Sequence, residues 1–115
     1  MKYIIVGGGN SVYYLSRSLT SKGHHVTIIN RNHDECMHLA RKLKAVIING
    51  DASNKKILEQ AGASSANAIF VITLNDHDNL VICQLAQTIF DNLVKRQNWL
   101  NSKNTLTIID FTEIG

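Results

Sequence analysis

Short apolar runs alternate with amphipathic segments along the chain, and this alternation is the feature that most constrains its fold. The runs are rich in Ile and Val, as strands buried on both faces of a parallel sheet are. The pattern therefore predicts an α/β domain in which helices connect parallel strands. The predicted strands are Tyr3–Val6, His25–Asn30, Ala45–Asn49, Ala68–Thr73 and Thr105–Asp110.

Helical spacing of apolar residues fills the segments between these strands. The predicted helices are Ser11–Ser21, a second capped by Asn32 or His33, a short one from Ser53 to Ala61, and a long one capped by Asp76 or Asp78 that reaches Leu93. Gly23 and Gly62 follow predicted helices, where a glycine in the left-handed backbone conformation commonly ends a helix. Because crossovers are right-handed, we expect a doubly wound sheet of strand order 3-2-1-4 between two helix layers, with the tail strand beside the fourth.

Composition narrows the classes of function. A length of 115 residues indicates a single domain. The net charge is +3 and the basic residues are scattered, apart from small clusters near Lys42/Lys44 and Lys95/Arg96, which argues against nucleic acid as a partner. No apolar run reaches the roughly 18 residues of a membrane helix, so direct membrane insertion is not expected. Cys36 and Cys83 fall on apolar helix faces, which predicts buried free thiols and a reducing cytoplasm.

Four polar segments should meet at one crevice, because ligands of doubly wound sheets bind at the carboxyl ends of the strands where strand order reverses. The segments are "GGGNS", "NRN", "GDAS" and "TLND", each directly after a predicted strand. Their convergence predicts a ligand site.

The first segment holds two of the three glycines of a G-x-G-x-x-G pattern. Gly7 allows a tight turn, and Gly9 allows backbone amides to approach a phosphate at a helix start. Val12 stands at the third position, so we expect a wider gap between helix and sheet. A tight strand-to-helix turn without a ligand is the alternative.

The second segment lacks the acid that usually binds the adenosine ribose, since Asn30 ends the second predicted strand and Arg31 follows it. Asn bonds a hydroxyl without charge assistance, which predicts a weaker grip on the ribose. Arg31 could instead recognise a 2′-phosphate, as in NADP sites, or be an exposed loop residue.

The remaining segments offer polar groups with two possible roles each. Asp51 could accept a hydrogen bond from the adenine amine or only suit the next helix start. Thr73, Asn75 and Asp76 could reach the ribose or phosphates, although Asp76 is also a candidate cap. The histidines show no metal or catalytic spacing, and no general base with a supporting partner is found, so we predict no enzyme activity.

These segments, in this order, resemble the potassium-conductance regulator domain, also called the RCK, KTN or TrkA-N domain. The matching stretches run from Met1 to about Leu93, and "NGDAS…LEQAGASSANAIFVIT…D…N" is more specific than the glycine turn. The resemblance implies a Rossmann-like fold that binds AMP, ADP, ATP or NAD(H) without chemistry. It further implies a cytoplasmic domain at the inner face of the membrane, held there by a potassium channel or transporter subunit, and assembly into homodimers or larger rings.

The resemblance also implies ligand-binding roles. Gly7, Gly9, Asn10 and Ser11 would face the phosphates, Asn30 and Arg31 the ribose, Asp51 and Ala52 the adenine, and Thr73 and Asn75 the sugar-phosphate side.

Departures from the family pattern leave alternatives. Val12 and Asn30 favour a mononucleotide over NAD. We assign 1–115 to one nucleotide-binding domain and expect 96–115 to be a divergent or truncated end. The rival functions are the cofactor-binding part of an NADP-dependent oxidoreductase and a scaffold that binds no nucleotide.

Overall fold

A five-stranded parallel sheet forms the centre of the structure, a computed structural model that describes residues 1–73, 76–97 and 107–110. The strands lie in the order β3-β2-β1-β4-β5, and every neighbouring pair is parallel. This confirms the predicted order, with the tail strand beside the fourth. The strands are β1 (Lys2–Gly7), β2 (His25–Asn30), β3 (Val46–Asn49), β4 (Ala68–Ile72) and β5 (Thr107–Asp110).

Helices connect consecutive strands up to β5, and side-chain caps mark the starts of the second and third. The predicted cap Asn32 is confirmed, since its Oδ1 accepts a hydrogen bond of 2.9 Å from the backbone N–H of Glu35. Within the described ranges, no helix is both long enough and apolar enough to cross a membrane. The helices are α1 (Gly9–Ser21), α2 (His33–Lys42), α3 (Lys55–Gln60) and α4 (Asp76–Gln97), and a 3₁₀ turn spans Ala63–Ser65.

Helix boundaries differ from the prediction at α1, α3 and α4, the last of which extends to Gln97 rather than Leu93. The helix predicted from Ser53 begins at Lys55, because the side chain of Asn54 caps it by accepting from the backbone N–H of Lys56 at 3.0 Å. The first helix begins at Gly9, immediately after the turn. The side chains of Asp76 and Asp78, the candidate caps of α4, lie outside the described residues.

Apolar side chains form one core on each face of the sheet. Side chains alternate along β1, so Ile4 and Val6 lie on one face and Ile5 on the other. The first face is covered by α3, the 3₁₀ turn and α4, and the second by α1 and α2. The expected three layers, helix, sheet and helix, are therefore confirmed. The largest fully buried apolar residues are Ile4, Ile5, Ile28, Ile29, Leu58, Ile69, Val12 and Val71.

Strand register brings the carboxyl ends of four strands to one edge. Gly7 pairs with Ile72, and Asn30 pairs with Asn49. Because the strands end almost level, the segments that follow them open onto the same space.

Candidate functional site

A cavity of about 1020 Å³ opens at the carboxyl ends of β1 to β4, where the order of the strands reverses. A second described cavity, of about 420 Å³, lies at the amino ends of the strands. The larger cavity is at the edge that the sequence predicted for a ligand. Nine of the ten predicted site residues line it, and the tenth, Asn75, lies outside the described residues; the nine are Gly7, Gly9, Asn10, Ser11, Asn30, Arg31, Asp51, Ala52 and Thr73.

The glycine turn joins β1 to α1 along one wall of this cavity. Gly7 has a φ of 137°, and a Cβ on it would collide with the carbonyl oxygen of Ile72 on the neighbouring strand. Only glycine therefore fits here. α1 begins at Gly9 without an acidic residue in its first turn. The amide of Gly9 is donated to a carboxylate of α2, so the amides that follow it and the positive end of the helix dipole are what this helix offers an anion.

Val12, which replaces the third glycine of the pattern, is fully buried beneath the turn. It lies in the core with Ile5, Ile28 and Leu39 and does not line the cavity. The aliphatic side chain therefore leaves the binding space open. The wider separation of helix and sheet stays a prediction.

Asn30 lines the cavity, but its side chain is engaged at both ends. Its Nδ2 donates to the carbonyl oxygen of Gly7 at 2.9 Å, and its Oδ1 accepts from the backbone N–H of Asn32 at 2.7 Å. Asn30 is only 6% exposed. Its side chain thus ties β2 to the glycine turn and to the start of α2.

Glu35 is a cavity residue that the sequence reasoning missed. Its Oε1 accepts a hydrogen bond from the backbone N–H of Gly9, so a carboxylate reaches the glycine turn from α2. The available signal was the Asn32-x-x-Glu35 spacing, which marks a capping box. That pattern locates Glu35 in the first turn of α2, although it predicts a different direction for the side chain.

Arg31 and Asp51 both line the cavity and form an ion pair, with 3.5 Å between Nη1 and Oδ2. Oδ1 of Asp51 also accepts hydrogen bonds from the hydroxyl of Ser53 at 2.7 Å and from the backbone N–H of Ser53 at 2.9 Å. These hydrogen bonds, followed by the nearby Arg31, lower the pKa of Asp51. Asp51 is therefore a carboxylate at neutral pH. It is not the cap of α3, because Asn54 holds that position.

Thr73 is held at the end of β4 by a residue that the sequence reasoning did not single out. The hydroxyl of Thr73 donates to Oδ1 of Asn79, and Nδ2 of Asn79 donates to the carbonyl oxygen of Thr73 at 3.2 Å. Asn79 is fully buried. It precedes Ile82 and Ala86 on the apolar stripe of α4, and a polar residue on such a stripe is the signal that could have found it.

Neither of the two cysteines, both in the described part of the chain, forms a disulfide. Cys36 is buried and Cys83 partly buried, so the prediction of buried thiols is confirmed for the first and holds in part for the second. Burial raises the pKa of Cys36, whose Sγ lies 3.3 Å from the carbonyl oxygen of Asn30. Cys36 is therefore protonated at neutral pH.

The strand order, the three layers and the crevice after β1 define a doubly wound α/β domain of the Rossmann-like class. The sequence model of the TrkA-N domain matches residues 3–112, and the chain belongs to this family. The match extends through β5 and confirms the resemblance.

A curated relative is the "Trk system potassium uptake protein TrkA homolog" of Pyrococcus horikoshii, which is 33% identical over 94 residues. The alignment covers 82% of this chain and 41% of the relative, so the chain spans less than half the length of that protein.

Solved structures share the fold. One is described as "Shewanella denitrificans Kef CTD in AMP bound form", with a TM-score of 0.73, 23% identity, and coverage of 96% of this chain and 58% of that one. Another is described as "GsuK channel bound to NAD", with a TM-score of 0.66, 23% identity, and coverage of 76% and 16%. At this identity the likeness establishes the architecture.

Proposed function

We propose that this chain is the nucleotide-sensing domain of a potassium transport system and that it binds an adenine nucleotide without catalysis. The observation that carries the proposal is the cavity at the switch point of the sheet, walled by the glycine turn and the first turn of α1. Membership of the TrkA-N family supports a role in potassium transport. The AMP and NAD in the descriptions of two structural neighbours support an adenine nucleotide as the ligand.

The phosphates would lie at the start of α1. There the amides of Asn10 and Ser11 offer hydrogen bonds and the helix dipole favours negative charge, while the amide of Gly9 is donated to Glu35. Arg31 adds a positive charge at the cavity wall. A phosphorylated ligand would therefore meet amide donors at the helix start and a cation on the wall of the same cavity.

The adenine would lie toward Asp51 and Ala52, at the end of β3. Asp51 is ionised at neutral pH and accepts hydrogen bonds, which suits the exocyclic amine of adenine. Ala52 is buried and offers an apolar surface to the ring. Thr73, with Asn75 as the predicted neighbour, would line the sugar-phosphate side.

We favour a mononucleotide, AMP, ADP or ATP, over NAD(H). The side chain of Asn30 is already bonded to Gly7 and Asn32, so it offers less to a ribose than a free acid would. The rival, the cofactor-binding part of an NADP-dependent oxidoreductase, relies on Arg31 for a 2′-phosphate. Arg31 pairs with Asp51, which weakens that rival.

A nucleotide in this cavity would regulate transport by binding two arrangements of paired domains with different affinity. The partner would be a membrane potassium channel or transporter subunit. The domain would be a homodimer or larger ring in the cytoplasm, attached to the inner face of the membrane through that partner.

Thermal melting in the presence of AMP, ADP, ATP, NADH and NADPH tests the proposal, since a bound ligand raises the melting temperature. We expect the adenine mononucleotides to raise it and Asp51→Ala to abolish the rise with little change in the unliganded melting temperature. Asp34→Ala, which removes the same charge from an exposed site outside the cavity, is the matched control. A rise with NADPH alone would favour the oxidoreductase, and no rise with any ligand would favour the scaffold.

A further inference from the structure

The carboxylate of Glu35 lies over the glycine turn, beside the side chain that ends β2. A Cβ on Gly8 would meet both Oε1 of Glu35 and Nδ2 of Asn30, so the two side chains converge over the middle glycine of the turn. The acid that binds the ribose hydroxyls usually stands at the end of the second strand, which is the position of Asn30. Glu35 thus brings a carboxylate close to the end of β2, which itself ends in an amide rather than an acid.

Local hydrogen bonds explain why Glu35 points into the cavity. In a capping box, a Glu at this position of the helix turns back to the backbone N–H of the cap. The cap here is Asn32, and its N–H is already donated to Oδ1 of Asn30 at 2.7 Å. Glu35 accepts from the backbone N–H of Gly9 instead. The hydrogen bond from Asn32 to the strand-end side chain therefore accounts for the direction of Glu35.

We propose that Glu35 binds the ribose diol of the nucleotide, replacing the acid that is absent from the end of β2. This inference rests on the proposed function and names the residue that recognises the sugar. A carboxylate accepts several hydrogen bonds, and one oxygen of Glu35 is used by Gly9. Within the described ranges, Oε2 of Glu35 accepts no hydrogen bond from another residue.

The chemistry of the carboxylate selects a diol over a phosphate. Ribose hydroxyls donate hydrogen bonds, and hydrogen bonds to an ionised acceptor are stronger than neutral ones. A phosphate is itself an acceptor with negative charge and would be repelled. The amides of Asn10 and Ser11 lie beyond Gly9 in the first turn of α1, so phosphates have donors that Glu35 does not use.

Calorimetric titration of AMP and of its 2′,3′-dideoxy analogue tests the assignment. We expect Glu35→Gln to weaken AMP binding by roughly ten- to a hundredfold, the range for hydrogen bonds to a charged group. The same variant should bind the dideoxy analogue as the wild type does, because that ligand has no diol. Asp34→Asn, one residue away and exposed, removes an equal charge and should leave both affinities unchanged.

Three results would overturn the assignment. Glu35→Gln could bind AMP as well as the wild type does, which would mean that the carboxylate makes no bond to the diol. A variant that binds AMP more tightly would mean that the carboxylate obstructs the phosphate. Glu35→Gln could also lose affinity for both ligands equally, which would mean that Glu35 only shapes the turn. The ratio of the two affinities is measured within one variant, so it stays informative if Glu35→Gln lowers the melting temperature. A wild-type chain that binds no adenine nucleotide would overturn the proposed function as well.

Discussion

Nδ2 of Asn30 donates a hydrogen bond of 2.9 Å to the carbonyl oxygen of Gly7, and this bond joins the end of β2 to the turn that follows β1. The backbone of Asn30 is used as well, since its carbonyl oxygen accepts from Nδ2 of Asn49 at 3.1 Å and from the backbone N–H of Gly50 at 3.0 Å. One residue therefore couples three of the four segments around the cavity.

Restoring the usual acid at this position should damage the site. Asn30→Asp removes the donor to Gly7 and places a carboxylate against a carbonyl oxygen, so we expect the free energy of unfolding to fall by about 1–3 kcal/mol. Denaturant unfolding measures the change. Asn49→Asp, at an exposed residue, removes a comparable donor and should cost less. Wild-type stability together with tighter AMP binding in Asn30→Asp would contradict this interpretation.

The two glycines of the pattern should differ in their sensitivity to substitution. Gly7→Ala places a Cβ against the backbone oxygen of Ile72 at a left-handed φ of 137°, so the sheet itself must shift. We expect this variant to lose about 3 kcal/mol or more, or to fail to fold. Gly9→Ala meets no atom within 4 Å at a φ of 80°, so its cost is backbone strain alone, about 1–2 kcal/mol. Thermal melting of the two variants gives the order, and equal losses would contradict it.

The sequence predicted the strand order and the location of the cavity because both depend on patterns that extend over many residues. Alternation of strand and helix determines the topology, and the topology brings the segment ends together. The direction of single side chains depends instead on competition for one hydrogen bond. Glu35 was missed because the backbone N–H of Asn32, to which it would turn in a capping box, already donates to Oδ1 of Asn30. Asn79 interrupts the apolar stripe of α4, but its hydrogen bonds to the hydroxyl and carbonyl oxygen of Thr73 form only once α4 packs against the end of β4.

Ser16 offers a test of the packing beneath α1. Its side chain on α1 is fully buried, and its hydroxyl has no hydrogen-bond partner among the described residues. A buried hydroxyl without a partner carries a desolvation cost. Ser16→Ala should therefore keep the free energy of unfolding at the wild-type value or raise it by up to about 1 kcal/mol. Ser18→Ala, at an exposed residue on the same helix, is the control. A clear loss of stability in Ser16→Ala alone would show that the hydroxyl has a partner.

The lowered pKa of Asp51 predicts how the stability of the protein changes with pH. The pKa of its carboxyl is lowered from the ordinary 3.8, first by the hydroxyl and amide of Ser53 and also by Arg31. A group whose pKa is depressed by folding stabilises the protein above its unfolded value, and this stabilisation is lost as the pH falls through the folded value. The wild type should therefore exceed Asp51→Asn in stability at neutral pH, with the difference shrinking below pH 3.8.

Urea unfolding of both proteins between neutral and acidic pH measures this difference. The side chain of Asp51 is 46% exposed, so solvent screens the ion pair and the effect is small. Asp34→Asn corrects for the change in net charge. A difference between wild type and Asp51→Asn that grows as the pH falls would mean that the carboxylate is not held in its charged form by Ser53 and Arg31.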